Sequence, residues 1–338
     1  MEHNIALLGF GTVGQGISQI LLNKKEYLSK KYGFNYKIVA VSDFNYGNVY
    51  NPNGLDIPFM LKEAGEGGKF SKDLKDWDNV TMIKESNATT ICELTYTDLE
   101  TGGPAMDHCR AALNAGKNVV TSNKGPAALA YPEMKELADK NNALFLIEGT
   151  VCAGTPVLNL SEGPLAGCSI SKIRGILNGT TNYMLTEMEK GMAYDEVLKI
   201  AQEKGYAEAD PTGDVEGYDA RGKVTILANV VMGASLKVED VSCKGITEIT
   251  PDDIDKAKNE NGRWKLIGSV ENNNGKVTGS VSPEIVNLSH PLAGVMGATN
   301  ALTFSTDMLG DVTIVGPGAG KIETGFSILT DLIKINNK

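Results

Sequence analysis

The sequence predicts an α/β protein: a Rossmann-type, doubly wound parallel sheet in the N-terminal half, then an α+β domain with a mainly antiparallel sheet. Three observations carry this expectation. Residues 4–147 alternate short apolar runs with helical patterns, the rhythm of a parallel sheet covered by helices on both faces. The first apolar run leads directly into Gly9-Phe10-Gly11-Thr12-Val13-Gly14. After about residue 149 the rhythm changes to long helical stretches and then to strands separated by Asn/Gly turns.

In chain order, the strands of the first half are read at Ile5–Leu8, Lys37–Val41, Thr90–Leu94, Asn118–Thr121 and Ala143–Ile147. Val13, Ile17, Ile20 and Leu21 form one helical stripe, and Met106, Cys109, Ala112 and Leu113 another. Pro104 punctuates the start of the second helix and Gly116 its end. Residues 45–75, rich in Gly, Asn and Lys around a helical patch at Leu55–Ala64, read as an excursion over the sheet edge. In the second half, Met184–Glu189, Tyr194–Lys204 and Asp219–Met232 read as helices. Trp264–Val270 and Lys276–Val281 flank Glu271-Asn272-Asn273-Asn274-Gly275 as a hairpin with a longer loop. The expected division is a nucleotide-binding domain at 1–148, a second domain at 149–309 and a C-terminal segment at 310–338.

A chain of 338 residues is long enough for two such domains. A formal charge of −10 argues against nucleic acid or an anionic membrane surface as partner. Met1-Glu2-His3 runs straight into a short strand, which reads as neither a signal peptide nor a membrane span. Five cysteines, odd in number and without CxxC spacing, point to free thiols in a reducing compartment, hence the cytoplasm, and to no structural zinc. The three histidines are scattered and read as surface or satisfied core imidazoles, so acid–base chemistry is sought first among lysines and carboxylates.

The glycine motif follows a strand and opens a helix, the setting in which it binds a dinucleotide. Gly9 permits the tight turn, Gly11 leaves room for a pyrophosphate, and Gly14 lets helix and strand approach. The N–H groups at Thr12 and Val13 open the helix toward the anion. Asp43 ends the second strand, where it either accepts the adenosine ribose hydroxyls or caps the next turn. No arginine follows it, which favours NAD over NADP, although Lys62, Lys69 or Lys72 has the reach to fold back.

Lys124, in Thr121-Ser122-Asn123-Lys124-Gly125-Pro126, follows a strand end, where doubly wound sheets place ligands; it either faces the nicotinamide and substrate or is a solvated loop lysine. Glu208 and Asp210 precede a second acidic run containing Asp214, Glu216 and Asp219. Asp219 and Lys223 are four residues apart and share a helix face, as a site for an amino acid's ammonium or as an exposed pair of little consequence. Asn178–Tyr183 either orients a polar ligand or caps a helix, and Gly316–Gly320 either lies over the cofactor or is a flexible connector.

Taken in order, these stretches resemble homoserine dehydrogenase over nearly the whole chain. The resemblance is carried by the glycine motif, Glu93–Asp98, Ser122–Pro126, Asn178–Tyr183, Gly205–Pro211, Asp214–Lys223 and Gly316–Gly320. It implies NAD(H)- or NADP(H)-dependent interconversion of L-homoserine and L-aspartate 4-semialdehyde, on the route to threonine and methionine. It also implies a homodimer formed by the second domain, and a C-terminal helix near Ile328–Ile335 that returns to the nucleotide domain. By the same resemblance Lys223 is the acid–base lysine and Lys124 the second active-site lysine. Glu208 and Asp219 bind substrate with Asp214 nearby, and Thr95 and Gly320 line the cofactor. Glu148, Val151, Ala153 and Thr155 hold a monovalent cation, Na⁺ or K⁺. Two positions depart from the family pattern: Lys321 stands where another glycine is common, and Cys152 lies in the cation loop. Because the chain ends soon after the last motif, neither a regulatory domain nor a fused aspartate kinase is expected.

Reduction of an aldehyde by hydride leaves an alkoxide that needs a proton, and an ammonium group both stabilises that charge and supplies the proton. Lys223 takes this role, Lys124 orients the substrate, and Glu208 and Asp219 hold its ammonium. The competing readings are another amino-acid or oxo-acid dehydrogenase and a non-catalytic NAD(P) sensor; the sensor would need neither the carboxylate cluster nor the two lysines.

Overall fold

The computed structural model describes residues 2–338. The chain divides into two compact units: the first runs to Gly154 and resumes at Gly320, and the second is Thr155–Ala319.

In the first unit, β1 Glu2–Leu8, β2 Asn35–Asp43, β3 Gly47–Tyr50, β4 Thr90–Glu93, β5 Asn118–Thr121 and β6 Phe145–Leu146 form one sheet. Their order is β3-β2-β1-β4-β5-β6. β1 pairs in parallel with β2 on one side and β4 on the other, so the crossovers change direction at its carboxyl end, the position where such sheets bind ligands. Ile5, Leu7 and Leu8 are wholly buried, as a strand covered on both faces requires. The excursion expected at 45–75 in fact supplies a strand, since β3 pairs antiparallel with β2 and closes the sheet edge. At four residues with a single fully buried side chain, Val49, it is too short to show an apolar period.

The helices of this unit are α1 Thr12–Tyr32, α2 Ile57–Gly65, α3 Asn79–Glu85, α4 Ala105–Asn114, α5 Lys124–Leu129 and α6 Tyr131–Lys140. α1 ends in a left-handed Gly33, with Lys30 and Lys31 in its last turn, where cations offset the negative end of the helix. Its apolar stripe (Ile17, Leu21, Leu28) shares one core with Ile5 and Leu7 of β1 and with Ile328, Leu329 and Leu332 near the chain end.

In the second unit, β7 Ile170–Ile176, β8 Ser242–Cys243, β9 Gly262–Asn273, β10 Lys276–Asn287, β11 Thr299–Thr306 and β12 Gly310–Pro317 build a sheet in the order β12-β11-β7-β9-β10-β8. All pairings are antiparallel except β8 with β10. The β9–β10 hairpin corrects the expectation of a longer loop. Asn273 pairs with Lys276, leaving only Asn274 and Gly275, at φ 55° and 91°, in a tight turn that suits the strand twist. The helices are α7 Val157–Glu162, α8 Gly179–Met188, α9 Tyr194–Glu203, α10 Thr212–Val215, α11 Tyr218–Val231 and α12 Pro251–Asn259. Lys265 of β9 is fully buried, its ammonium donating to Asn182 Oδ1 (2.9 Å) and the Val295 carbonyl (2.6 Å). Burial pushes that ammonium down to about 8.

Two boundaries move. Residues 149–154 stay with the first unit, and the boundary expected at 310 falls at 320 because β12 is a full partner of β11. The last helix, α13 Lys321–Asn336, packs on α1 in the first unit. The helices meet at small residues: a Cβ on Gly16 would strike the Lys321 carbonyl, and one on Gly325 would lie 2.7 Å from the Ile17 nitrogen.

Candidate functional site

In the first unit the glycine motif turns between β1 and α1. Gly9 has φ 103°, and a Cβ there would sit 2.5 Å from the Leu94 carbonyl oxygen. A Cβ on Gly14 would collide with the Gly9 carbonyl, whereas one on Gly11 would meet nothing within 4 Å. Gly11 thus borders open space, which a pyrophosphate fits and a side chain would fill. That space is a cavity of about 780 Å³, lined by Gly9 and Gly11 and by residues after β2, before α3 and after β4. Thr12 and Val13 form the first turn of α1 and contribute no side chain to the lining.

Asp43 lines the cavity and serves the turn as well. Its Oδ2 accepts the Phe10 N–H (2.6 Å) and its Oδ1 the N–H groups of Asn45 (2.8 Å) and Tyr46 (3.2 Å). Asp43 thus caps its own turn, as one of its two sequence readings expects, pins the glycine loop, and stands on the cavity wall. Asp78 is a second acid in the lining, and no lysine or arginine belongs to it. Lys62 pairs with Glu66, and Lys72 lies over the Phe59 ring. Phe44 is fully exposed and Tyr96 70% exposed, both on the cavity wall.

Thr95 follows β4 on the same wall. Asn123 is buried and ties the 95–98 loop to α5, donating to the carbonyls of Thr95 (3.2 Å) and Tyr96 (2.7 Å) and accepting from the Gly125 N–H (2.9 Å). This lodges Lys124, half-buried, at the first position of α5. Gly320, at φ 143°, caps α13 and is not part of the cavity lining. Lys321 reaches Gln15 Oε1 (2.9 Å), and Gln15 in turn donates to the Phe10 carbonyl (3.0 Å). The lysine that departs from the family pattern therefore places a cation beside the glycine turn.

In the second unit the polar residues around α11 converge. Lys223 is 8% exposed, and its ammonium donates to Asp219 Oδ2 (2.6 Å) and to the Leu177 carbonyl (2.7 Å). Asn178 caps α8 through the Thr181 N–H, and its side-chain amide donates to Asp214 Oδ1 (2.6 Å) and Asp219 Oδ2 (3.0 Å). The Asp219–Lys223 pair is thus a mostly buried element of a four-residue network, and the reading of it as an exposed pair is corrected. Burial pushes the Asp214 carboxyl up, with Asp219 adding repulsion against the opposing bond from Asn178. Glu208 stands apart, with an exposed side chain and its backbone carbonyl accepting from Gln202 (3.1 Å).

In the proposed cation loop, Glu148 is buried and its N–H donates to Asp331 (3.0 Å). Cys152 and Ala153 take consecutive left-handed conformations, φ 57° and 50°, and Val151 is buried beside them. The Thr155 hydroxyl donates to the Pro317 carbonyl (3.0 Å).

The sequence reading gave no site role to Glu93, Asn79, Ser42 or His108. His108 lines the cavity and is joined to the other three through hydrogen bonds. The one local signal was Glu93, an acid inside an otherwise apolar strand.

The electrostatics of the α11 cluster yield a prediction. Asp214→Asn keeps an oxygen for the Asn178 bond and removes a disfavoured charge. Wild-type stability is fully present below the unfolded carboxyl value of 3.8 and falls as pH rises through the raised folded value. At pH 7 the variant should therefore melt about 2–4 °C higher, for a gain on the order of 1 kcal/mol, while its KM for substrate rises. Melting curves from pH 4 to 8 test this, and a gap that widens toward acid would contradict it.

A family model described as homoserine dehydrogenase matches residues 156–333. The chain is 46% identical over 339 aligned positions to the NAD(+)-dependent homoserine dehydrogenase of Pseudomonas canavaninivorans, covering 99% of this chain and 96% of that protein. It is 42% identical to homoserine dehydrogenase of Methanocaldococcus jannaschii, covering 99% and 98%. Among solved structures, a hyperthermophilic archaeal homoserine dehydrogenase in complex with NADPH superposes with a TM-score of 0.86 at 30% identity, covering 99% of this chain and 97% of that one. By sequence and by fold alike, the chain belongs to the homoserine dehydrogenase family.

Proposed function

We propose that this protein catalyses the NAD(P)-dependent interconversion of L-homoserine and L-aspartate 4-semialdehyde, with Lys223 as the proton donor and acceptor. The observation that carries this reading is the Asn178–Asp214–Asp219–Lys223 network, which buries an ammonium beside two carboxylates on a family-matched segment. The bound dinucleotide supplies or accepts the hydride. Asp219 and the Leu177 carbonyl accept hydrogen bonds from the Lys223 ammonium and fix its place in the site. Charge growing on that oxygen during aldehyde reduction is met by a fixed cation. Asp214 and Asp219 attract the substrate ammonium, Glu208 closes from its exposed position, and Lys124 orients the substrate electrostatically.

In the first unit, the N–H groups at the start of α1 take the pyrophosphate, Asp43 the adenosine ribose, Thr95 and Gly320 the rest of the dinucleotide, and Phe44 gives adenine an aromatic face. NAD(H) is the preferred form. A 2′-phosphate would bring its charge toward Asp43 and Asp78 with no lysine or arginine in the lining to receive it. The relative named as NAD(+)-dependent supports this preference, while another relative forms a complex with NADPH.

Na⁺ or K⁺ bound by Glu148, Val151, Ala153 and Thr155 is consistent with the two consecutive left-handed residues of that loop, a strain that ligation by main-chain oxygens would offset. The assembly is a homodimer, for which the exposed Met308, Leu309 and Val315 offer apolar surface. Among the described residues no helix is long and apolar enough to cross a membrane, and the expected location is the cytoplasm.

The purified protein should oxidise L-homoserine with NAD⁺ and reduce aspartate semialdehyde with NADH, with kcat/KM for NAD⁺ at least equal to that for NADP⁺. Absence of turnover with both cofactors in a folded sample would overturn the activity, and a strong NADP⁺ preference would overturn the reading of the ribose pocket. Lys223→Arg keeps a positive charge but cannot exchange a proton near neutral pH, so kcat should fall about 10²–10⁴-fold across the working range while NADH affinity is retained. Near wild-type kcat in Lys223→Arg would transfer the proton-donor role to Lys124. Replacing Na⁺ and K⁺ with a bulky organic cation should reduce activity or melting temperature; indifference in both would remove the cation site.

A further inference from the structure

Along the cavity wall a hydrogen-bond chain links β2, α3, α4 and β4. The Ser42 hydroxyl meets Asn79 Oδ1, and the Asn79 amide reaches His108 Nε2 at 3.0 Å. On its other side His108 Nδ1 lies 3.1 Å from Glu93 Oε1, and the Thr95 hydroxyl donates to that same oxygen. At the far end the Ser42 hydroxyl also lies 2.7 Å from Asn48 Oδ1. A hydroxyl has one proton for those two asparagine oxygens, so the contacts and not a tautomer define the chain: the Thr95 hydroxyl and His108 Nδ1 converge on the same carboxyl oxygen, Oε1. Glu93 is completely buried, His108 is 4% exposed, and Glu93 Oε2 is buried with no hydrogen-bond partner among the described residues. A carboxyl left half-satisfied in the interior is costly, and such costs are commonly kept where a site needs them.

Resting on the reading of this cavity as a dinucleotide site, we propose that Glu93 and His108 are positioning residues that fix the polarity of Thr95. A threonine hydroxyl has one proton, and here it points inward to Glu93. Toward the cavity Thr95 presents lone pairs only, so it accepts a hydrogen bond from the dinucleotide and disfavours another acceptor at that place. The matching donors are a ribose hydroxyl and the carboxamide NH₂ of the nicotinamide. His108 holds the carboxyl in the rotamer that receives the Thr95 proton, and Asn79 and Ser42 hold His108. Thr95 makes this contact with the cofactor, and Glu93, fully buried and outside the cavity lining, acts through it.

The test is direct binding of NADH, by titration calorimetry or nicotinamide fluorescence. Thr95→Val keeps the shape and removes the acceptor, so Kd for NADH should rise about tenfold. Glu93→Met fills the space without an acceptor, frees the Thr95 proton to turn outward, and should raise Kd to a similar degree. Glu93→Gln keeps a carbonyl oxygen at the Oε1 position and should bind within about twofold of wild type. The Thr95→Val/Glu93→Met double variant should be no weaker than either single variant, since one contact is lost in all three. Multiplying effects, an unchanged Kd in Glu93→Met, or Glu93→Gln as weak as Glu93→Met would each overturn the proposal. If Glu93→Met does not fold, Thr95→Ser and Thr95→Val decide: serine should bind like wild type and valine weakly, and equal affinities refute the assignment. Repeating the Thr95→Val comparison with 3-acetylpyridine adenine dinucleotide, which lacks the carboxamide NH₂, separates the donors: a vanished difference identifies the carboxamide and a persisting one the ribose. Failure of the wild-type protein to bind NADH or NADPH at all would instead refute the dinucleotide reading itself.

Discussion

How near α1 can come to its neighbours governs the architecture of the first unit. At Gly14 the helix passes so close to the turn that any side chain would collide with the Gly9 carbonyl, and at Gly16 it passes equally close to the first residue of α13. These contacts set the start of α1 at the end of β1, in the crevice where the sheet's crossovers part. Backbone N–H groups at the start of a helix can reach an anion only where no side chain intervenes. The same closeness lets the last helix join the core of the first, so that residues more than 300 positions apart, Gln15 and Lys321, share a hydrogen bond. The dinucleotide turn is therefore braced from both termini of the chain.

The second unit depends on buried ammonium groups rather than on close backbone contact. Lys223 and Lys265 are both buried, and each meets one main-chain carbonyl and one side-chain oxygen. Lys265 has a neutral amide partner and loses basicity to burial. Lys223 has a carboxylate partner, which answers its charge within the site. The first arrangement suits a residue that ties a loop to a helix. The second ties an ammonium to a carboxylate on its own helix.

Polar groups in the two units bear their constraints differently. Around Asp43 every contact helps: the same carboxylate accepts three backbone N–H groups, rigidifies the glycine turn and lines the cavity. Around Asp214 the contacts conflict, with burial and a second carboxylate set against Asn178, Thr180 and the Lys223 charge. Unfavourable charge gathered at one place is what a site for a cationic substrate requires, since the ligand itself completes the balance.

Much of this molecule was legible before any coordinates. The glycine spacing, the strand–helix alternation and the acid at the end of β2 are local signals, because each arises within a few residues of backbone geometry. The pairing of Asp219 with Lys223 was likewise legible from their spacing on one helix. Only tertiary structure showed that this pair is buried, because burial depends on Asn178 and Leu177, some 40 residues earlier in the chain. It also brought β3 to the sheet edge, since a strand of four residues is defined by its partner rather than by its own pattern. His108 looked like an ordinary core histidine in the sequence, and by burial it is one. Its link to Glu93, Asn79 and Ser42 joins four separate elements, and no sequence period records a hydrogen bond between residues brought together only by the packing of a sheet against its helices.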